Sequence, residues 1–166
     1  MNGVSQSAVN FIGQNLGARK FDRIHKIFRS CLLIVTALGL CLGVSAYLYA
    51  PQLLSIYITD SPAAIAAGQN RMLFICLPYF VCGIMDVITG ALRGLGKSLL
   101  PMLVSVLGVC VLRIVWVLTI FRVYHTPSCL FASYLVSWII TEIAQYLLFK
   151  TSLKKLESQA ALPDSL

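Results

Sequence analysis

Charge is what this sequence lacks. Charged residues make up 11% of the 166 positions, against about 25% in an ordinary soluble domain. Only six are acidic, against thirteen basic. No charged residue stands between Ser30 and Thr59, and each later apolar stretch holds one at most. Runs beyond about 18 apolar residues mark membrane helices, so a soluble globular domain is excluded. A secretory leader is not expected either, because Met1 to Ala18 has no basic start and no long apolar run. No Cys-x-x-Cys pair occurs: Cys31, Cys41, Cys76, Cys82, Cys110 and Cys129 are scattered through apolar stretches and read as small buried hydrophobes, with no metal implied. No nucleophile stands at a fixed offset from a base and no paired-metal spacing occurs, so an enzyme is not expected. Gly96-Lys97-Ser98 imitates the end of a phosphate-binding loop, but the glycine required five positions earlier is Ala91. The stretch also follows a membrane-length segment rather than a strand.

What is present is an all-α integral membrane pattern. Four full transmembrane helices are expected at 30–50, 72–92, 99–121 and 127–149, after a partial N-terminal helix at 1–18. A basic cytoplasmic loop is expected at 19–29 and a solvated, partly disordered cytoplasmic tail at 150–166. Gln6, Asn10 and Gln14 recur every four residues in the first stretch and form an uncharged polar stripe. Such a stripe faces a bundle interior or a watery cavity; a surface amphipathic helix would carry lysines there. The stretch is too short to span, so Met1 reads as an internal start. In the first full span, Gly39-x-x-x-Gly43 permits a close helix approach. Tyr47, Tyr49 and Tyr57 suit an interfacial belt, with a short interfacial helix over 52–59. Asp60-Ser61-Pro62 marks a loop, and Pro78 interrupts the next span as a kink.

The net charge of +7 reads as topology rather than as a nucleic-acid footprint, since no nucleic-acid module accompanies it. Alternate connections carry ten basic residues (Arg19 to Arg29; Arg93 and Lys97; Lys150, Lys154 and Lys155), and the others carry Arg71 and Arg122. That asymmetry predicts a multi-pass protein of the plasma (inner) membrane with a cytoplasmic C-terminus and membrane lipids as partners. His25, among the basic residues, reads as a solvated loop residue.

Three ionisable residues fall inside spans, each costing about 2.5 to 3.5 kcal/mol on insertion scales. From the helical rise, Asp86 and Glu142 lie about 10 Å from the basic end and Arg113 about 21 Å. The difference of about 11 Å argues against an ion pair between Arg113 and either acid. Asp86 and Glu142 could share a region. Asp86 suits either a coupling role or a structural hydrogen bond, Glu142 reads as structural, and Arg113 reads as a partner for groups outside the chain or as an outward-snorkelling cation.

Two motifs carry a family resemblance. Phe11-Ile12-Gly13-Gln14-Asn15-Leu16-Gly17-Ala18, followed by Arg19-Lys20-x-Asp22-Arg23, resembles the end of the eighth helix of multidrug and toxic compound extrusion (MATE) transporters. Gly90-Ala91-Leu92-Arg93-Gly94-x-Gly96-x-Ser98, with Pro101 beyond, resembles that family's turn between helices ten and eleven. The resemblance implies the C-terminal portion, from the end of helix eight through helix twelve, of a carrier built from two six-helix lobes. It implies export of cationic or aromatic compounds in exchange for Na+ or H+, with the N-terminal lobe as a missing partner and no other cofactor. On that basis Asp86, Tyr79, Cys82, Asn10, Gln14 and Gln6 are the candidates for a coupling-ion or substrate cavity. Many relatives place the acid one turn further from the Leu-Arg-Gly motif, at the position of Cys82. The fragment alone is expected to be inactive. A small structural or assembly subunit, and a lipid-linked oligosaccharide flippase fragment of the same superfamily, are the alternatives.

Overall fold

The computed structural model describes residues 1–57, 68, 69, 72, 76, 78–123 and 127–161. All its regular structure there is helical: α1 (Asn2–Gly17), α2 (Phe21–Leu48), α3 (Ala50–Tyr57), α4 (Tyr79–Gly94), α5 (Leu99–Ser105), a π-helical segment (Val106–Val111), α6 (Leu112–Val123) and α7 (Pro127–Ala161). Among the described residues three helices are long and apolar enough to cross a membrane: Phe21–Leu48, Leu99–Arg122 and Ala132–Ala160. The span expected at 72–92 is described as a helix only from Tyr79, and residues 73–75 and 77 lie outside the described set. Pro78 takes the N-cap position of α4, as suits a residue that lacks an N–H, and the segment before it, on which the expected kink depends, lies partly outside the described residues.

The helices alternate in direction. Ser5 of α1 meets Asp86 and Gly90 of α4, and Val9 and Ile12 meet Gly94, so α1 and α4 run parallel. Phe80 meets Gly39 and Gly83 meets Val35, so α2 runs against both. Thr89 meets Gln145 and Lys97 meets Ser152, which sets α7 parallel to α4. Lipid is as apolar as leucine, so packing in such a bundle rests on close fit and polar contacts rather than on hydrophobic transfer. The fit is visible where backbones touch. A Cβ on Gly90 would lie 2.6 Å from the Ser5 carbonyl oxygen, and one on Gly94 would lie 2.9 Å from that of Val9. Gly39 of the expected small-residue motif is likewise pressed on the Phe80 backbone.

At the basic end, three expectations are corrected. The stretch expected as a loop at 19–29 is helical from Phe21, because Ile24, Phe28, Cys31 and Val35 recur at three- and four-residue spacing and are buried together. The tail expected to be solvated from Lys150 continues as helix to Ala161, because Phe149 and Leu153 belong to the same buried core and Ser152 is buried beside them. Residues 162–166 lie outside the described set, as do Asp60-Ser61-Pro62, Arg71 and the side chain of Tyr57. Finally, Gly90 and Gly94 do not form a turn. They are the α1-facing notch of α4, and the turn is confined to 95–98.

That turn is closed by two bonds, from the Gly96 N–H to the Arg93 carbonyl and from the Lys97 N–H to the Leu92 carbonyl, with Gly96 left-handed at φ 79°. The end of α1 repeats the pattern through Arg19 and Lys20, but there the left-handed position, at φ 54°, holds arginine. A side chain in that conformation is strained by about 1 kcal/mol. Opposite responses are therefore expected: Gly96→Ala destabilises by about 1 kcal/mol, and Arg19→Gly stabilises by roughly 0.5 kcal/mol once the extra freedom of an unfolded glycine is subtracted. Thermal unfolding of the two variants in one detergent checks the signs.

Candidate functional site

Positions 79, 82, 86 and 93 fall along one side of α4 at helical spacing. Tyr79 is exposed, Cys82 and Asp86 are half-buried, and Arg93 is exposed at the lower end. Neighbouring helices cover much of the rest of the surface. Gly83, Gly90 and Gly94 receive α1 and α2, Thr89 bonds to α7, and Val87, Ile88, Ala91 and Leu92 are buried in the core. The Asp86 face is thus an open strip beside the α1 contact.

On α1 the contact residues are Ser5, Ala8, Val9 and Ile12, whereas Gln6, Asn10 and Gln14 are exposed. The expected polar stripe therefore does not point into this chain's own core. Gln6 flanks the α1–α4 contact on the side away from α2, next to the Asp86 strip. Tyr79, Cys82 and Asp86 thus share one strip of α4 with Gln6 on its α1 flank, a phenol, a thiol, a carboxylate and one amide, whereas Asn10 and Gln14 turn progressively away from the α4 contact and lie level with or beyond Gly94. Asp86 is fixed by its backbone: its carbonyl accepts a 2.8 Å bond from the Ser5 hydroxyl, which leaves the carboxylate unconstrained by that contact.

Glu142 is placed elsewhere. Thr89 donates to Gln145 at 3.1 Å, and Asp86 and Glu142 each stand three residues earlier on parallel helices, so the two acids lie at one level. Glu142 lines a groove with Ile84 and Ile88, however, and on α4 those residues lie opposite Asp86. The acids share a depth and face different sides.

Arg113 finds its partners within the chain, against the expectation of an outside partner or outward snorkelling. Its Cζ lies 3.9 Å from the Tyr134 ring centroid and its Nη2 lies 3.5 Å from the Ser137 hydroxyl, while its buried Nε has no partner. A guanidinium over an aromatic face gains about 2 kcal/mol when desolvated, which offsets much of the insertion penalty.

A polar seam was missed by the reading of the sequence. Gln145, fully buried, accepts from Thr89 and donates to the Ser105 hydroxyl at 2.7 Å and more weakly to the Pro101 carbonyl at 3.4 Å, tying α4, α5 and α7 together. One turn earlier Thr141 abuts Gly108 in the π-helical segment, and Ser137 and Ser133 continue the line. The signal was legible: Ser133, Ser137, Thr141 and Gln145 recur every four residues, like the α1 stripe. Of the cysteines only Cys31 is buried. Cys41 and Cys110 are exposed.

Comparison with known proteins supplies the family. A family model described as MatE matches residues 1–119, most of the chain. The chain belongs to the MatE family. A curated relative, "Probable multidrug resistance protein YoeA" of Bacillus subtilis (strain 168), is 28% identical over 100 residues, which is 60% of this chain and 21% of the relative. This MatE chain thus spans about a fifth of the length of the relative it matches. Family membership and the three apolar helices together make it a multi-pass membrane protein.

Proposed function

We propose that this MatE chain is the C-terminal portion of a cation-coupled multidrug antiporter, in which Na+ or H+ entry drives export of cationic or aromatic compounds. The observation that supports the reading is the half-buried Asp86 on an open strip of α4 with Tyr79 and Cys82, flanked on α1 by the exposed Gln6. A carboxylate among neutral dipoles at membrane depth favours a cation, and a partly open strip admits one from a water-filled cavity. In this reading the N-terminal lobe is the missing partner, the plasma membrane is the location, and the ten-to-two charge asymmetry puts the C-terminus in the cytoplasm. The printed name of the Bacillus relative supports the multidrug assignment.

The structural-subunit reading loses its two motives. Gly39 is used inside the bundle against Phe80, and Arg113 is received by Tyr134 and Ser137. The test is gradient-driven efflux of a cationic dye from cells that lack their own exporters. Cells expressing the complete coding sequence that contains these helices should export the dye, and cells expressing residues 1–166 alone should not. Export by residues 1–166 alone, or a native immunoblot band near 18.2 kDa with an antibody to residues 150–161, would refute the fragment assignment.

A further inference from the structure

The opposite side of the bundle carries a second feature, distinct from the Asp86 face. At the basic end, α2 and α7 flank a cavity of about 510 Å³. Phe28 stacks on Phe149 at 4.2 Å between ring centroids, and Tyr146 lies 6.4 Å from Phe28, so the floor is aromatic. Arg29 and Lys150, each next in sequence to a member of the stacked pair, line the cavity with Lys154 one turn on; all three are exposed. Its far end is closed by His25, whose Nε2 lies 3.0 Å from the Glu157 carboxylate. That contact joins positions 132 residues apart, and His25, expected as a solvated loop residue, stands on the helix α2 and remains half exposed. Glu157 is engaged there, so the remaining charge of the cavity is positive.

The cavity does not end at the aromatic floor. Leu32 and Tyr146 line both it and the adjoining groove of about 580 Å³, whose walls are Leu33, Ile84, Ile88, Ile143 and Leu147, with Glu142 and Thr36 also facing it. A cationic pocket thus adjoins, across Leu32 and Tyr146, a mainly apolar groove running along the helices away from the basic end. A soluble anion would use the first part only, and a neutral lipid tail the second only. We infer that this composite groove binds one phospholipid with an anionic phosphodiester head group, its phosphate held by Arg29, Lys150 and Lys154 and the start of one acyl chain laid along Leu32, Ile88 and Ile143. The charge at the mouth selects the head group, and the apolar continuation selects a lipid over a free anion.

Each cation beside an anionic lipid surface contributes roughly a fivefold change in binding. The measurement is native mass spectrometry of protein isolated from membranes into nanodiscs of equal phosphatidylglycerol and phosphatidylcholine, counting the lipids retained. Phosphatidylglycerol should be retained in preference. Arg29→Gln combined with Lys150→Gln should reduce that preference about 25-fold. Lys20→Gln combined with Arg23→Gln, at the same end but outside the groove, should leave it unchanged. Ile143→Trp, which fills the apolar arm, should lower retention of phosphatidylglycerol with the cations intact. Equal retention of both lipids would overturn the inference. So would an Arg29/Lys150 variant indistinguishable from the native chain, as expected if another protein segment fills the groove. Displacement of the lipid by millimolar inorganic phosphate would assign the pocket to a free anion instead.

Discussion

Asp86→Asn in the complete carrier is expected to reduce gradient-driven export of a cationic dye at least tenfold while the protein remains folded. The substitution keeps size and shape and removes only the charge. The contact that fixes residue 86 uses its backbone carbonyl, which asparagine retains, so the α1–α4 interface should not move. A unit charge about 4 Å from a bound cation contributes about 4 kcal/mol at an effective dielectric of about 20, close to a thousandfold in affinity. Water entering an open face screens part of this, which brings the expected loss toward the lower bound. Glu142→Gln is the matched control: the same charge change at the same level, on the side of the bundle lined by Ile84 and Ile88. It should leave export within about threefold of the parent, since a residue away from the cation makes no differential contact with it. Dye efflux measured beside detergent Tm separates the two effects. A loss with Glu142→Gln and none with Asp86→Asn would move the coupling site to the other face.

Gly90→Leu should be the most destabilising single change in the bundle. Even a Cβ at position 90 meets the Ser5 carbonyl oxygen at 2.6 Å and the Ser5 carbonyl carbon at 3.2 Å. These are backbone atoms and cannot rotate aside, so α1 must move away from α4. That movement breaks the Ser5–Asp86 bond and loosens the seat of Met1, whose side chain fills the space at Gly83 and Gly39. Overpacking of this kind costs about 1 to 3 kcal/mol and occasionally more. At roughly 2 to 4 °C per kcal/mol for a chain of this size, Gly90→Ala should lower Tm by several degrees, and Gly90→Leu should release α1 altogether. Gly17→Ala provides the contrast, because nothing lies within 4 Å of a Cβ there; alanine's better helix propensity should leave Tm level or slightly raised. A Tm for Gly90→Leu equal to that of the native chain would mean that α1 does not seat on α4 as described.

Much of this was written in the sequence, and the parts that were not have a common character. The four-residue spacing of Gln6, Asn10 and Gln14 located a polar face but not its direction. The same spacing in Ser133, Ser137, Thr141 and Gln145 drew no attention, because serine and threonine on a membrane helix can bond to their own carbonyls, as Thr141 does to Ser137. That Asp86 and Glu142 stand at one level followed from counting residues. That Tyr134 would lie under Arg113 did not, because the two stand on different helices and their meeting depends on how α6 and α7 are rotated. Gly90 and Gly94 looked like turn residues because glycine serves both turns and close crossings. Only the position of Ser5 and Val9 distinguishes the two uses.

By itself the sequence determined that the chain is an all-helical membrane protein, where its apolar segments lie, and the relative levels of its intramembrane charges along the helices. Those properties follow from transfer free energies that each segment carries locally, whatever its neighbours do. The tertiary structure decided the rest: that α2 and α7 continue beyond their apolar cores at the basic end, that Asp86 and Glu142 face opposite sides, and that Phe28, Phe149 and the His25–Glu157 pair close one end of a groove. These depend on which helix faces meet. In a medium as apolar as the side chains themselves, that choice is made by close fit at a few glycines and by a few polar contacts between residues far apart in the chain.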